Sequence, residues 1–470
     1  MPLTVIVGAG SSGAVLAARL SARAEREILL IEAGPDYLAH ELPPDLHNGK
    51  HNSLRRHDWG YVHAPSLRAA RAIMPRGRVV GGSSAVNTCI ALRGQPEDFD
   101  EWAALGLSEW SWDQCLPAFK RLERDLDFHD DYHGTSGPLP VRRHTPSELV
   151  PVQAAFVEAC RELGYPECPD SNAPGRAGVG PHAMNKLDGR RISAAEAYLT
   201  AETRARPNLT IRARTLVRRV LLRDRRVHGV EVLREDGAVE TIAADEVILC
   251  AGALNTPGVL LRSGIGPARE VARLQCELVI DAPAVGHKLL DHPGSGIFAL
   301  AKPGVVDRDG PLIQTVMRYP GGVLAHRADM FVQPASFAVL PGKAPLFGVV
   351  TQLGKPRGHG TLRYPDANPH SKPEIHSRFV EDAQDRKLLR EGVRLCLRVL
   401  RSRAMAPLSR GTFPFAALLR SDVVLDRVLS YLCGSGYHPS GTVPMGVAPG
   451  VDAAVDAHGR VFGVHGLRVV

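Results

Sequence analysis

The chain has 470 residues, 57 Lys and Arg against 50 Asp and Glu for a net charge of +7, and 44% hydrophobic but only 5% aromatic residues. That apolar content excludes a disordered chain, and the length exceeds one ordinary core, so two domains sharing a ligand site are expected. The basic residues are spread along the chain instead of forming a stripe with stacking aromatics, which argues against nucleic acid as a partner.

The chain begins "LTVIVGAGSSGAVLAARLS": a β-branched run, then Gly8, Gly10 and Gly13, then an Ala/Leu-rich segment at helical spacing. This predicts strand, tight turn and helix, with Gly8 in the turn, Gly10 where backbone approaches a pyrophosphate and Gly13 where helix packs on strand. "EILLIEAGP" follows as a second strand ending in Glu32, at the distance where a carboxylate accepts hydrogen bonds from the ribose hydroxyls of an adenine dinucleotide. A carboxylate there would repel a ribose 2′-phosphate. The motif does not separate NAD from FAD, which share this half. The N-terminus shows no basic region, long apolar stretch and cleavage site, and no run approaches the length of a membrane span, so a soluble, cytoplasmic protein is expected.

"RGRVVGGSSAVNTCIALRGQPEDFDEW", residues 76–102, places a glycine pair and two serines before Asn87, a composition suited to backbone packed against a flat ligand or to a structural turn. The segment from Thr210 to Gly252 predicts short alternating strands, a turn at Asp236-Gly237 and a return to a buried strand at Val247. "VILCAGALNTPGVLLRSGIGP" reads as that strand, a small-residue turn and a helix beginning near Pro257. Further on, "APLFGVVTQLG" and "GTLRYP" read as strands, and "EDAQDRKLLREGVRLCLRVLRSRAM" has helical periodicity. The eight cysteines, at 89, 115, 160, 168, 250, 276, 396 and 433, show neither C-x-x-C nor zinc spacing, which implies reduced thiols and no metal site. Near the end, "CGSGYHPSGTVPMG" sets His438 among glycines, prolines and hydroxyl residues, either as a reactive imidazole or as a histidine satisfied by backbone in a tight turn.

Five of these blocks, taken in order, resemble the glucose-methanol-choline (GMC) family of FAD-dependent oxidoreductases: "VIVGAGSSGAVLAARLS", "GRVVGGSSAVN…RG…DFDEW", "CAGALNTPGVLLRSGIGP", "VGHKLLDHP" and "YHPSGTVPMG…VDAHGRVFGVHGLRVV". The resemblance implies an α/β fold with a Rossmann-like FAD-binding domain and a second, α+β substrate-binding domain. The FAD domain would be discontinuous, at 1–142, 187–294 and 428–470, with 143–186 and 295–427 forming a substrate domain whose sheet has helices on one face. It further implies that Gly8, Gly10, Gly13 and Glu32 hold the ADP part of FAD, and that Gly81, Gly82, Ser84 and Asn87 lie along the pyrophosphate and isoalloxazine. Val217 would meet adenine through its backbone, and Ala251 and Gly252 would fall near the cofactor. Where one class of the family links its flavin through a histidine, this chain has Val86, which implies non-covalent FAD.

His438 matches the family's active-site histidine, which implies a base that takes the hydroxyl proton of an alcohol, or a stabiliser of the developing alkoxide, while hydride passes to flavin N5. His292 would be a structural partner of Asp291, and His465 a surface or turn residue. Sugars, choline-like compounds, and aliphatic and aromatic alcohols all remain open as the small-molecule substrate, as do oxygen or another electron acceptor. Family members continue past the "GLRVV" strand with further active-site elements, whereas this sequence stops at Val470, so a truncated chain with weakened FAD retention and impaired turnover is expected. The competing readings are a flavin-containing lyase on the same fold, a degenerate non-catalytic flavoprotein and, most remote, an NAD-dependent dehydrogenase.

Overall fold

The computed structural model describes every residue except Arg55 and the stretches 322–328, 339–343 and 414–418; the last three fall within the expected substrate domain. At its centre lies a five-stranded parallel sheet in the order Leu209–Arg212, Glu27–Ile31, Leu3–Val7, Glu246–Leu249, Leu467–Val469. Such a sheet must be covered on both faces, and its strands divide their side chains accordingly. Ile6, Ile28, Leu30 and Ile248 pack under the helix Ser11–Leu20 with Ala14 and Ala17. Val5, Val7, Val247 and Leu249 face the other way, onto Val217, Val230, Val232 and Leu260. The continuous apolar runs of the sequence thus become strands buried on two sides.

The excursion between Leu209–Arg212 and Glu246–Leu249 contains an antiparallel sheet of Thr215–Arg223, Arg226–Arg234 and Val239–Ala243. The second hairpin turns at the expected Asp236-Gly237, where Gly237 has φ +85°. The first turns at Asp224 and Arg225, both left-handed without glycine (φ 50° and 58°), a two-residue hairpin that the sequence does not flag. The helix Thr256–Arg262 carries Pro257 in its first turn, where a missing N–H costs nothing.

A second layer holds a seven-stranded sheet. Its main path runs Ser409–Phe413, Pro293–Ala301, Leu346–Leu353, Met330–Ala338, Thr315–Tyr319, Gly178–Pro181, with Gly434–Ser435 paired beside Pro293–Ala301. Alternate residues Ile297, Ala299, Phe347, Val349, Val332 and Met317 pack beneath the helices Pro151–Glu162 and Ala383–Leu400. The long helix starts at Asp382, whose side chain accepts from the N–H groups of Gln384 and Asp385. Both of these helices pack on one face, and Phe298, Val350, Gln352, Phe331 and Gln333 alternate onto the other, outside that core. A separate four-stranded sheet joins Thr361–Arg363 and Glu374–His376 to Tyr61–Ala64 and Ala72–Met74, so strand pairing ties a segment of the expected substrate domain to one of the expected FAD domain. No helix among the described residues is long and apolar enough to cross a membrane.

A buried charge cluster fastens the segment 123–143 to this frame. His133 places Nδ1 3.0 Å from Asp125 and 3.1 Å from Glu123, and Nε2 2.9 Å from Asp170, while Arg143 reaches Asp125 and Asp170 at 2.8 and 2.6 Å and Arg93 pairs with Glu123. Burial pushes the imidazolium down, but hydrogen bonds to Asp125, Asp170 and Glu123 overrule it and hold His133 well above the usual histidine range. Burial likewise raises Asp125 and Asp170, yet their bonds to His133 and Arg143 hold both below the usual carboxylate range. Three carboxylates then face two guanidiniums and one imidazolium, a balanced set. His133→Gln removes one cation from it and is expected to cost about 3–5 kcal/mol. The cluster's stabilisation is complete between about pH 4 and about pH 6.5; it is lost below as the carboxylates take up protons and above as His133 releases its own. Urea titrations of both proteins at pH 6 and pH 9 check this: the stability gap should be larger at pH 6.

Candidate functional site

The carboxyl ends of Leu3–Val7 and Glu246–Leu249 lie side by side where the chain order of the parallel sheet reverses, the position at which such sheets open a ligand crevice. The cleft there is lined by Gly8, Gly10, Ser11 and Ser12 from the first turn, Glu32 from the second strand, Thr215 to Val217, and Cys250 to Asn255. Trp59, Tyr61, Arg76, Gly77, Gly82 and Ser83 close it from a second side.

Glycine makes this geometry possible. A Cβ on Gly13 would lie 1.9 Å from the Gly8 carbonyl oxygen, so only glycine lets the helix dock on its strand. A Cβ on Gly82 would lie 2.6 Å from Gly10 Cα, which brings the 77–83 turn down onto the first one. Gly10 and Gly252, by contrast, face room: a Cβ on Gly10 would meet nothing nearer than 3.8 Å and one on Gly252 nothing within 4 Å. Side chains at these two positions would project into the space beside the helix N-terminus, where exposed N–H groups favour a phosphate.

Glu32 is 6% exposed, and its carboxylate accepts from the Ala9 N–H at 2.9 Å and the Gly34 N–H at 2.8 Å. Burial pushes its pKa up to about 7, with the two N–H groups working against that rise. Each oxygen keeps lone pairs on the cleft side for further donors.

Of the residues singled out in the sequence, Gly8, Gly10, Glu32, Gly82, Val217, Ala251 and Gly252 line the cleft. Gly13, Gly81, Ser84 and Asn87 stand behind its wall. The Ser84 hydroxyl donates to the Gly81 carbonyl at 2.6 Å and accepts from the Ala194 N–H at 2.9 Å, so its capacity goes to the scaffold, and the neighbouring Ser83 is the serine that borders the cleft. Asn87 accepts from the Cys89 N–H at 2.9 Å and closes a turn. Sequence reasoning missed Arg191, which is fully buried. It donates to the carbonyls of Leu46 at 3.0 Å, Ala85 at 2.7 Å, His51 at 2.6 Å and Asn87 at 2.7 Å, tying down the turn behind the cleft. Nothing in the "GRRIS" stretch distinguishes it from a surface arginine.

His438 sits beyond one end of the cleft, and Arg76 makes the connection: it borders the cleft and donates to the Tyr437 carbonyl. Asp291 organises the rest. Its carboxylate accepts from the His438 N–H at 2.9 Å, the His292 N–H at 2.7 Å and the Ser435 hydroxyl, and Ser435 in turn accepts from the Tyr437 N–H at 2.7 Å. Tyr437 is thereby held at φ 65°. His292, expected as a partner of Asp291, is that through its backbone, and its ring adds a contact the sequence did not reveal: it lies edge-on to His438, centroids 5.1 Å apart. His292 Nδ1 lies 3.2 Å from the Leu353 carbonyl, which can only accept, so that nitrogen carries the proton. Crowding by protein pushes His438 down to about 4, with His292 adding to the fall and Asp291 opposing it. The ring keeps an exposed edge, and His438 is neutral at neutral pH.

The donor set fits FAD: a glycine cradle and helix N-terminus for the pyrophosphate, a buried carboxylate for ribose, and Val86 in place of a residue able to form a covalent link. The chain matches the family models for GMC oxidoreductase over residues 3–294 and 356–470. It is 36% identical to a 5-(hydroxymethyl)furfural oxidase of Methylovorus sp. (strain MP688), covering 99% of this chain and 92% of that protein. It is 32% identical to an oxygen-dependent choline dehydrogenase of Photobacterium profundum, covering 99% and 87%. The crystal structure of pyridoxine 4-oxidase from Mesorbium loti superposes with a TM-score of 0.93 at 30% identity, over 100% of this chain and 94% of that one. These coverages lend the expected truncation no support. By these matches, and by a cleft that suits the cofactor, the chain belongs to the GMC oxidoreductases and is an FAD enzyme of the alcohol oxidase or dehydrogenase type.

Proposed function

We propose that this protein oxidises the CH–OH group of a small alcohol to the carbonyl, with His438 as the base. The observation that supports this reading best is a neutral imidazole held at the cleft's end by the backbone clamp of Asp291 and Arg76. FAD, when bound, supplies the two-electron acceptor that takes the carbinol hydride at N5. His438 takes the hydroxyl proton, so the substrate loses one proton and one hydride and leaves as an aldehyde or ketone. The relatives are oxidases and dehydrogenases by name, which does not favour a lyase or a non-catalytic scaffold. In this reading Gly8, Gly10 and Gly82 border the pyrophosphate, Glu32 accepts from the adenosine ribose, and the Val217 backbone, with Ala251 and Gly252, lies along the cofactor. Gly13, Gly81, Ser84 and Asn87 shape the wall from behind.

His438→Ala in a protein that retains FAD is expected to slow anaerobic flavin reduction by an alcohol about 10²–10⁴-fold. Reduction within a factor of two of the parent would remove the base. Because the ring is held neutral, kcat/KM should stay flat down through pH 6.5, where an ordinary histidine gains its proton, and fall only in more acid solution as His438 approaches its lowered pKa. A pH profile of the parent enzyme with an acid limb centred near 6.5 contradicts that assignment.

Glu32 gives a second test. Ribose hydroxyls donate to its ionised form, and its pKa is pushed up to about 7, so FAD should bind more tightly as pH rises from 6 to 8. Fluorescence titration of the apoprotein should show this trend in the parent and a weaker, flatter affinity in Glu32→Gln.

A further inference from the structure

We infer that the alcohol taken by this site is carried on a flat ring that is uncharged or anionic, and that the face of the seven-stranded sheet opposite its two helices excludes alcohols bearing a quaternary ammonium. The inference rests on the reaction proposed above and specifies its substrate.

The sheet face turned away from the helices Pro151–Glu162 and Ala383–Leu400 is the one that meets His438. His292, in ring contact with His438, lies 6.4 Å from the ring of Phe331 and bonds the Leu353 carbonyl at the end of the next strand. Alternation places Phe331 and Gln333 of one strand and Val350 and Gln352 of its neighbour on this face, because Val332 and Val349 point into the helical core. The next strand contributes Gly294 and Gly296, where backbone takes the place of side chains. A phenyl ring, a valine and two glycines make a flat apolar slab, which suits the face of an aromatic ring better than a branched or spherical head group.

Two polar features set the charge it accepts. The Gln352 side chain makes no hydrogen bond within the protein among the described residues, and its amide lies beside Gly436, two residues from His438: a Cβ on Gly436 would come within 3.5 Å of Gln352 Nε2. A free amide at the reacting end can donate to or accept from a ring substituent. Arg318 lies under Phe331, its guanidinium carbon 5.4 Å from the ring centroid. It is 5% exposed, donates to the Ser171 carbonyl at 2.7 Å, and forms no ion pair among the described residues. The acidic groups acting on it, Asp98, Glu97 and Asp170, lie on other elements, and no described residue of this face is a carboxylate. A quaternary ammonium needs an aromatic cage or a carboxylate to replace its hydration. Here it would meet one ring, already backed by a cation, and no carboxylate on this face among the described residues, while Asp291 beside His438 is already engaged by two N–H groups and a hydroxyl.

The test compares matched alcohols on the FAD-loaded enzyme: 4-methoxybenzyl alcohol, 4-(hydroxymethyl)benzoate, 4-(trimethylammonio)benzyl alcohol and choline. The neutral and anionic benzyl alcohols should exceed both cations in kcat/KM by about 100-fold or more, and Gln352→Glu should close that gap by about 10-fold for the cationic benzyl alcohol. Phe331→Ala should raise KM for the neutral ring with a smaller change in kcat. If either cation is oxidised as well as the neutral ring by the parent enzyme, the inference is overturned. Should no alcohol reduce the flavin, it is the proposed reaction that fails, and calorimetry with benzoate and benzyltrimethylammonium still decides this point: benzoate should bind at least about 10-fold more tightly, and equal or reversed affinities overturn the inference.

Discussion

The approach of bare backbone to bare backbone around the first turn is the constraint on which this molecule depends. Gly13 lies on the carbonyl of Gly8, Gly82 lies on Gly10, and a Cβ on Gly77 would come within 2.2 Å of the Gly82 carbonyl oxygen. Two turns from distant parts of the sequence, at residues 8–13 and 77–82, therefore fold tightly and stack on each other at distances that no side chain permits. Their N–H groups and the helix N-terminus converge on one space, and that space is the cleft. A methyl group at any of the three contacts would part the turns and open the floor of the site.

Buried charge holds the surroundings of this floor in two ways. Arg191 pairs with no carboxylate among the described residues, because backbone carbonyl oxygens of two segments take up the donors of its two terminal nitrogens, and the positive charge is spread over backbone dipoles. The His133 cluster instead balances three carboxylates against three cations in a site nearly free of water. Both are costly to break, since removing one partner leaves the others buried and unpaired. Around His438 the same logic works on a smaller scale. Asp291 spends its lone pairs on N–H groups and a hydroxyl, fixing the backbone on both sides of the imidazole while leaving the ring free to react.

The two layers divide the labour of the reaction. The parallel sheet presents its strand ends to the cofactor cleft, and in the reading proposed above the antiparallel sheet turns its opposite face to the substrate. His438 belongs to the short segment that passes between them, since Gly434–Ser435 pairs with Pro293–Ala301 just before it.

Much of the cofactor half could be read from the chain itself. Hydrophobic runs bounded by glycines specify Leu3–Val7 and Glu246–Leu249, and the spacing of Gly8, Gly10, Gly13 and Glu32 specifies a turn, a helix and a carboxylate that are local in sequence. The helix at Ala383–Leu400 was legible for the same reason, since amphipathic periodicity is a property of consecutive residues. The tertiary structure alone decided which serine borders the cleft, Ser83 and not Ser84, because that depends on the left-handed backbone at Gly81 and Gly82 and on the distant Ala194 N–H that captures Ser84. It alone decided that Arg191 is buried, that His292 lies against His438, and that Phe331 and Gln352 share a face with them. Each of these joins residues tens to hundreds of positions apart, and no local pattern records a contact whose partners are brought together only by the packing of whole sheets.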